Sequence, residues 1–396
     1  MRVLHLLKTS VGGHWALRQI RELIRLGVDV HVLLPPGGPL VSDYEAVGAV
    51  VHPFDFSLPT RAPWRWPSLF AMLRRLVDQA RPDLLHSHFV STTLTMRLAL
   101  GKDHPVPRVF QVPGPLHLEY APYRASEIST AGPLDHWIGS CRWTCERYLA
   151  SGISASHVFL SYYGSDLQQL TPGPPGKLRA EIGLSAGTKV VGLVAYVYAP
   201  KRYLWQRRGS KGHEDLIDAI SIASQHEPNI VCVMVGGAWG NASAYEARVR
   251  AYGARRCGDR VIFLGPRDDI SDLYPDMNVA VHPSHSENVG GAAESLLLGV
   301  PTIATAVGGL PDVVIDGETG WLVPPRRPDQ LASAILAALR DPIRARDMAA
   351  RGRELARRLL DVKRNAQEIL EIYETILSRI GSPDQTNPIR LGLVQS

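Results

Sequence analysis

Apolar, strand-like runs alternate with helical patterns from the first residue of this 396-residue chain, and they do so in two successive series. Alternation of that kind implies parallel α/β architecture, because a parallel strand has to be reached through a crossover, usually a helix. Arg2 to Leu7 reads as a buried strand, Trp15 to Leu26 as a helix and Val28 to Leu34 as the next strand. Further strands are expected at Leu84 to Phe89, Arg108 to Val112 and His136 to Gly139. Periodicity then fades across Tyr163 to Gly187, where Gly and Pro accumulate, and a domain linker is expected there. The second series runs from Lys189 to Val197 through a helix at Glu214 to Ser224. Its later strands are Ile230 to Val235, Val261 to Leu264, Val279 to His282 and Thr302 to Ala304. Pro328 to Ile380 is amphipathic and helical, with a polar tail after Gly381 that is expected to be mobile.

The length suits two domains of about 150 to 200 residues each. With 45% hydrophobic and 20% charged residues, the composition is that of an ordinary globular enzyme. Its 43 basic residues against 38 acidic ones give a mild excess, and no basic run is interleaved with stacking aromatics, so nucleic acid is not an expected partner. The four cysteines show neither a CxxC pair nor a disulfide-framework spacing, and Cys141 and Cys145 read as packing residues. The apolar run Val3 to Leu7 is too short for a secretory signal, and no window reaches the ~18 apolar residues needed to span a bilayer. A cytoplasmic location is expected.

Three stretches carry chemistry. In "TSVGGHWA" a glycine pair, Gly12-Gly13, joins a strand to a helix, so the turn faces the carboxyl edge of a sheet, where ligands of doubly wound folds bind. It is not GxGxxG, so the dinucleotide fingerprint is absent. In "RRGSKGHEDLIDAI" Lys211 stands just before a helix, where an ammonium can hold a diphosphate, with Arg208 or Arg202 as a second cation. In "HPSHSENVGGAAESLLLGVPTIATAVGGLPDVV" Gly290-Gly291 precedes a helical run, Ala292 to Leu298. That places the glycines at a helix N-terminus suited to an anion. Glu287 and Glu294 flank them and can accept hydrogen bonds from sugar or ribose hydroxyls. Read without a ligand, Glu294 would serve the helix dipole from the first turn.

Taken with "VMVGGAWG" and "VIFLGPRDDISDLYPDMNVAVHPSHSENVGG", these motifs resemble the donor domain of retaining glycosyltransferases of family 4, collinearly over Val190 to Pro325 and more weakly across the first half. The resemblance implies a GT-B fold, two Rossmann-like domains facing each other across a cleft. It sets an acceptor-binding domain at 1–165, a nucleotide-sugar-binding domain at 166–365, and a C-terminal helix with a flexible tail at 366–396, the helix packing back on the first domain. It also implies transfer of a hexosyl unit from a nucleotide diphosphate sugar to a saccharide, lipid-linked or small-molecule hydroxyl, with retained configuration. By motif position Lys211 resembles the diphosphate-contacting lysine, Glu294 the ribose-binding glutamate and Glu287 the glutamate near the donor sugar. Gly12 and Gly13 match the glycine-rich first loop, and His117 in "QVPGPLHLE" stands where the family has a histidine contacting the donor sugar.

The chain departs from that pattern in two places. Six residues rather than seven separate Glu287 from Glu294, so that Ser286 is an alternative first site. The arginine that usually follows the first donor-domain strand is replaced by tyrosines in "VAYVYAPKRYLWQRRGSKG", with Arg202, Arg207 and Arg208 as substitutes. The chain holds no Asp-x-Asp, so no metal and no cofactor is expected beyond the sugar nucleotide itself. His86 and His88 occupy alternate strand positions without an evident third ligand. Leu58 to Leu76 mixes basic and aromatic residues suited to a membrane surface; read otherwise it is a loop plus a core-packing helix. Two rival functions use the same fold, a nucleotide-sugar epimerase and an inactive sugar-nucleotide-binding subunit.

Overall fold

The computed structural model describes residues 1–59 and 61–381. Thr60, inside the basic and aromatic stretch, and the tail after 381 lie outside the described residues.

The chain divides into two compact units, Met1–Ser165 together with the chain from Leu360 onward, and Asp166–Leu359. Each is built on one parallel sheet. The first takes β1 (Arg2–Leu6), β2 (Asp29–Leu34), β3 (Val50–Pro53), β4 (Leu84–Ser87), β5 (Arg108–Val112), β6 (Asp135–Gly139) and β7 (Val158–Leu160), in the order β3-β2-β1-β4-β5-β6-β7. The second takes β8 (Lys189–Val194), β9 (Ile230–Val235), β10 (Val261–Gly265), β11 (Val279–His282), β12 (Thr302–Thr305) and β13 (Trp321–Val323), in the order β10-β9-β8-β11-β12-β13. In both, the order reverses beside the first strand, between β1 and β4 and between β8 and β11. The crevice outside the carboxyl ends at that reversal is where a doubly wound sheet receives a ligand.

The inner strands read as unbroken apolar runs because helices cover both faces of each sheet. Val3, Leu4 and Leu6 are fully buried on β1, and Val190, Val191 and Leu193 are buried on β8. The strands that sequence reading missed are short ones at sheet edges, β3, β7 and β13, whose few residues carry little periodic signal.

Two expectations change at the junction. Part of the proposed linker is a helix, Lys177–Glu181, whose Leu178 is fully buried in the second core with Val190 and Tyr274, so periodicity was lost there without order being lost. The chain re-enters the first unit at Leu360, not 366, because Ser165 N–H donates to Leu360 O at 2.7 Å and Val362 N–H to Ser165 O at 3.2 Å. The helix Val362–Gly381 then buries Ala366, Ile369, Tyr373 and Ile376 against Ala16, Ile20 and Leu23. In the basic and aromatic stretch, the helix Trp66–Ala80 turns Leu73 and Val77 into the core while Trp64 is 75% exposed. No helix of the described residues is long and apolar enough to cross a membrane.

Candidate functional site

The carboxyl edge of the second sheet holds a hollow of about 270 Å³, lined by Val194 at the end of β8, by Val235 and Gly236 at the end of β9, and by Pro266 and Arg267 after β10. Tyr196, Tyr198, Lys211, Gly291 and Glu294 complete its wall. Lys211 is delivered by the turn that starts the helix His213–Ala223, and Gly291 and Glu294 by the helix Gly290–Leu297. Three of the residues singled out in the sequence therefore meet on one cavity.

The helix begins at Gly290, two residues earlier than its composition suggests. Glu294 consequently stands beyond the first turn, which contains no acidic residue, so service to the dipole does not account for it. Both glycines are there for contact. Gly290 has φ 45°, and a Cβ on it would lie 2.6 Å from Glu287 Oε1. A Cβ on Gly291 would lie 3.2 Å from Val194 O and 3.3 Å from the His282 ring, so the helix start is seated directly on the end of the central strands.

Beside the hollow, the Lys211 ammonium donates to Glu287 Oε2 in a close ion pair whose side chains are 20% and 12% exposed. Ser284 Oγ donates to the same carboxylate at 3.2 Å and the Asn288 N–H donates to its other oxygen at 3.2 Å. The acidic group that reaches the cation is Glu287. Burial works against the charge on Lys211, but the Glu287 carboxylate outweighs it, aided by Tyr198 and Glu294, and holds the ammonium's pKa above its usual value. Behind the hollow His282 is buried with Nε2 3.0 Å from Ser295 Oγ, and burial pushes its pKa down to about 3, so it is a neutral support.

Arg208 stands apart from this group. One of its guanidinium nitrogens donates to Asp215 and the other to Asp218 at 2.8 Å, and it does not line the hollow with Lys211. In this structure it acts as a brace: Asp215 also takes the His285 ring, and the His285 backbone N–H donates to Ser210 O at 2.7 Å. This chain of contacts ties the loop before Lys211 to the loop before Glu287. The arginine that does line the hollow, Arg267, was missed because one of the carboxylates that hold it, Glu181, comes from a distant segment. It donates to Glu181 at 2.6 Å and to Asp269 at 2.7 Å.

In the first unit, Gly12 and Gly13 form the turn from β1 into the helix His14–Arg25, with φ 72° and 84°. His117 sits on the short helix Leu116–Glu119 and is 8% exposed, with Nε2 3.1 Å from the Tyr148 hydroxyl. Burial lowers its pKa to about 4 against a backbone contact from Gly114, so the ring is neutral near pH 7.

His86 and His88 do have a third neighbour. β1 pairs with β4 so that His5 lies opposite His86, and the three rings lie with their nitrogens within 4.8 Å of one another, all fully buried. His5 Nδ1 is 2.9 Å from His88 Nε2, and His86 and His88 stack at 19° with centroids 4.1 Å apart. Near-parallel rings aim their in-plane lone pairs past a common point, and Nδ1 of His86 and Nδ1 of His88 each face a tyrosine hydroxyl, that of Tyr373 and that of Tyr163. This cluster reads as a buried hydrogen-bonded stack.

Comparisons with known proteins agree on a family. The model for glycosyl transferases group 1 matches residues 203–355, and that for a glycosyl transferase 4-like domain matches residues 12–180. A D-inositol 3-phosphate glycosyltransferase of Mycobacteroides abscessus is 33% identical over 46% of this chain and 38% of its own length. One of the same name from Thermomonospora curvata is 27% identical over 94% of this chain and 91% of that protein. Against the first three such relatives the chain spans 37 to 49% of their length. Among solved structures, HepE of Anabaena in complex with UDP-glucose is similar with a TM-score of 0.78 and 23% identity, covering 95% of this chain and 100% of that one. That likeness identifies the architecture as GT-B, two parallel-sheet α/β units.

Proposed function

The chain belongs to the group 1, family 4 type of glycosyltransferases, and from that premise we propose that it moves a hexosyl unit from a nucleotide diphosphate sugar to an acceptor hydroxyl with retention of configuration, in polysaccharide, glycolipid or natural-product glycoside biosynthesis. The observation that carries the reading is the convergence of Lys211, Glu294 and the helix start at Gly291 on one hollow at the carboxyl edge of the second sheet.

In this reading the diphosphate lies against Lys211 and the N–H groups at Gly290 and Gly291, where cation and helix dipole act together. Glu294 accepts hydrogen bonds from the ribose hydroxyls. Glu287 releases Lys211 to the incoming phosphate and turns towards the sugar. The bond between the anomeric carbon and the diphosphate oxygen breaks, and the acceptor oxygen bonds to the same face of that carbon. The acceptor's proton passes to the departing phosphate oxygen, whose negative charge Lys211 stabilises as it develops. His117 enters as a positioning residue that holds the turn after β5. Relatives named D-inositol 3-phosphate glycosyltransferase and the neighbour that holds UDP-glucose support a nucleotide-sugar donor.

Charge neutralisation by Lys211 leads us to propose turnover without a divalent metal. The experiment is an assay of glycosyl release from UDP-, GDP-, ADP- and dTDP-sugars, with and without chelator. Turnover of one donor that survives the chelator supports the reading. Turnover abolished by chelator and restored by Mg²⁺ would overturn metal independence, and absence of turnover with every donor would favour the inactive-subunit alternative.

A further inference from the structure

The second unit carries another concavity, larger than the one that holds Lys211. It has a volume of about 640 Å³ and lies between the loop 200–208 and one face of the helix Ser243–Cys257. Tyr245, Arg248, Tyr252 and Arg255 recur at spacings of three, four and three, which puts them on a single stripe of that helix. Each arginine lies over a tyrosine, Arg248 at 5.2 Å from the Tyr245 ring and Arg255 at 5.8 Å from the Tyr252 ring. From the facing loop come Arg202, Arg207 and Trp205.

Charge in this groove is not balanced. Neighbouring arginines are neutralised, Arg250 by Glu246 at 2.7 Å and Arg256 by Asp218 at 3.2 Å. Arg202, Arg207, Arg248 and Arg255 have no ion pair among the described residues, and all four are exposed. The acidic residue lining the groove, Glu214, is already engaged by the Tyr245 hydroxyl. Trp205 is 92% exposed and sits at φ 58°, a backbone region that a bulky side chain adopts at a cost. An exposed indole lining the same groove as four guanidinium groups that have no ion pair among the described residues offers a surface for a ring that carries negative charge. Guanidinium forks match carboxylate, phosphate and sulfate oxygens in pairs, and the aromatic face covers the apolar side of a sugar ring.

We propose that this groove binds a short acidic oligosaccharide, a stretch of saccharide bearing carboxylate, phosphate or sulfate groups, outside the donor site. The saccharide identity rests on the glycosyltransferase reading above, since that is the class of chain such an enzyme meets; the anionic character rests on the groove alone. A concave wall of this volume suits a discrete ligand, whereas a membrane surface would need the basic and aromatic residues on a convex face.

The test is calorimetric titration of the full chain with tetragalacturonate, with maltotetraose as its neutral counterpart, for the wild type and for the double variant Arg248→Ala, Arg255→Ala. Both side chains are exposed on a helix, where alanine is favourable, so the variant should fold. The proposal predicts that the acidic tetrasaccharide binds at least about tenfold more tightly than the neutral one, that added salt weakens it, and that the double variant loses about tenfold or more. Equal binding of the two saccharides, or an unchanged affinity in the double variant, overturns it. Tighter capture by anionic phospholipid vesicles or by polyuridylate than by the acidic saccharide, lost in the same variant, overturns the saccharide assignment. Stabilisation by nucleotide sugars, measured on the same samples, reports separately on the donor site and is expected to be equal in wild type and variant.

Discussion

Lys211 and Glu287, 76 residues apart in sequence, face each other as an ion pair at the edge of the hollow that Glu294 also lines. A cation already held by a carboxylate is positioned without being spent, since an incoming diphosphate offers more negative charge than the carboxylate it displaces. Lys211→Ala is therefore expected to lower kcat/KM by about 100- to 1,000-fold through loss of leaving-group stabilisation. It should also cost about 1–3 kcal/mol of stability by leaving Glu287 without its partner. Steady-state kinetics with denaturant unfolding checks both.

Under the proposed function Glu294 accepts from the ribose hydroxyls, and that proposal has a substrate-side test. A 2′-deoxy sugar nucleotide should bind the wild type about tenfold or more weakly than its ribo counterpart, because a carboxylate loses a charged hydrogen bond. In Glu294→Ala the two nucleotides should bind alike. A preference that survives the substitution places the ribose elsewhere.

At Gly290 the backbone and the ion pair are coupled, since a methyl there would press on the Glu287 carboxylate. Gly290→Ala is expected to keep the fold, at a cost of about 1 kcal/mol for the positive φ, while lowering kcat/KM roughly 10- to 100-fold by displacing Glu287. Loss of activity in proportion to loss of folded protein would contradict that.

How much of this was legible in the sequence depends on how local each feature is. The helix starts that carry Lys211 and Glu294, and the glycines beside them, follow from contiguous residues, and their convergence follows from where a doubly wound sheet presents its strand ends. Arg267 was invisible as a lining residue because one of the two carboxylates that orient it, Glu181, is 86 residues away. His5 was not read as a partner of His86 because their contact exists only through the pairing of β1 with β4. Arg208 looked like a free cation until the helix His213–Ala223 brought Asp215 and Asp218 to one face. The short edge strands escaped for a different reason: three or four residues give no period to read.

The histidine stack carries a pH prediction. Burial lowers His5 to about 3 and holds His86 and His88 well below the ordinary value of 6.5, with mutual repulsion of their charged forms adding to it. Below pH 6.5 the unfolded chain takes up protons on these rings that the folded chain refuses, so their contribution is fully present above 6.5 and is lost as pH falls from there towards about 3. Each ring contributes up to about 1.4 kcal/mol per pH unit. Urea unfolding monitored in the first unit should show a midpoint that falls steeply below pH 6.5, and a flat profile would rule out neutral buried rings.

A second structural prediction concerns the buried charges of the first unit. Arg97 donates to Glu127 at 2.6 Å and to Asp135 at 2.9 Å, and Arg108 reaches Asp135 at 2.5 Å, all with side chains no more than 1% exposed. Asp135→Ala would leave two buried guanidinium groups short of a carboxylate, and is expected to destabilise the unit by about 3–5 kcal/mol in chemical denaturation.

The most direct test of the central claim is a thermal-shift and calorimetric screen of UDP-, GDP-, ADP- and dTDP-sugars against wild type, Lys211→Ala and Glu294→Ala. The account predicts that one nucleotide series stabilises the wild type and that both variants lose most of that stabilisation while remaining folded. Stabilisation that persists in both variants would place the donor outside the Lys211–Glu294 hollow and contradict the account.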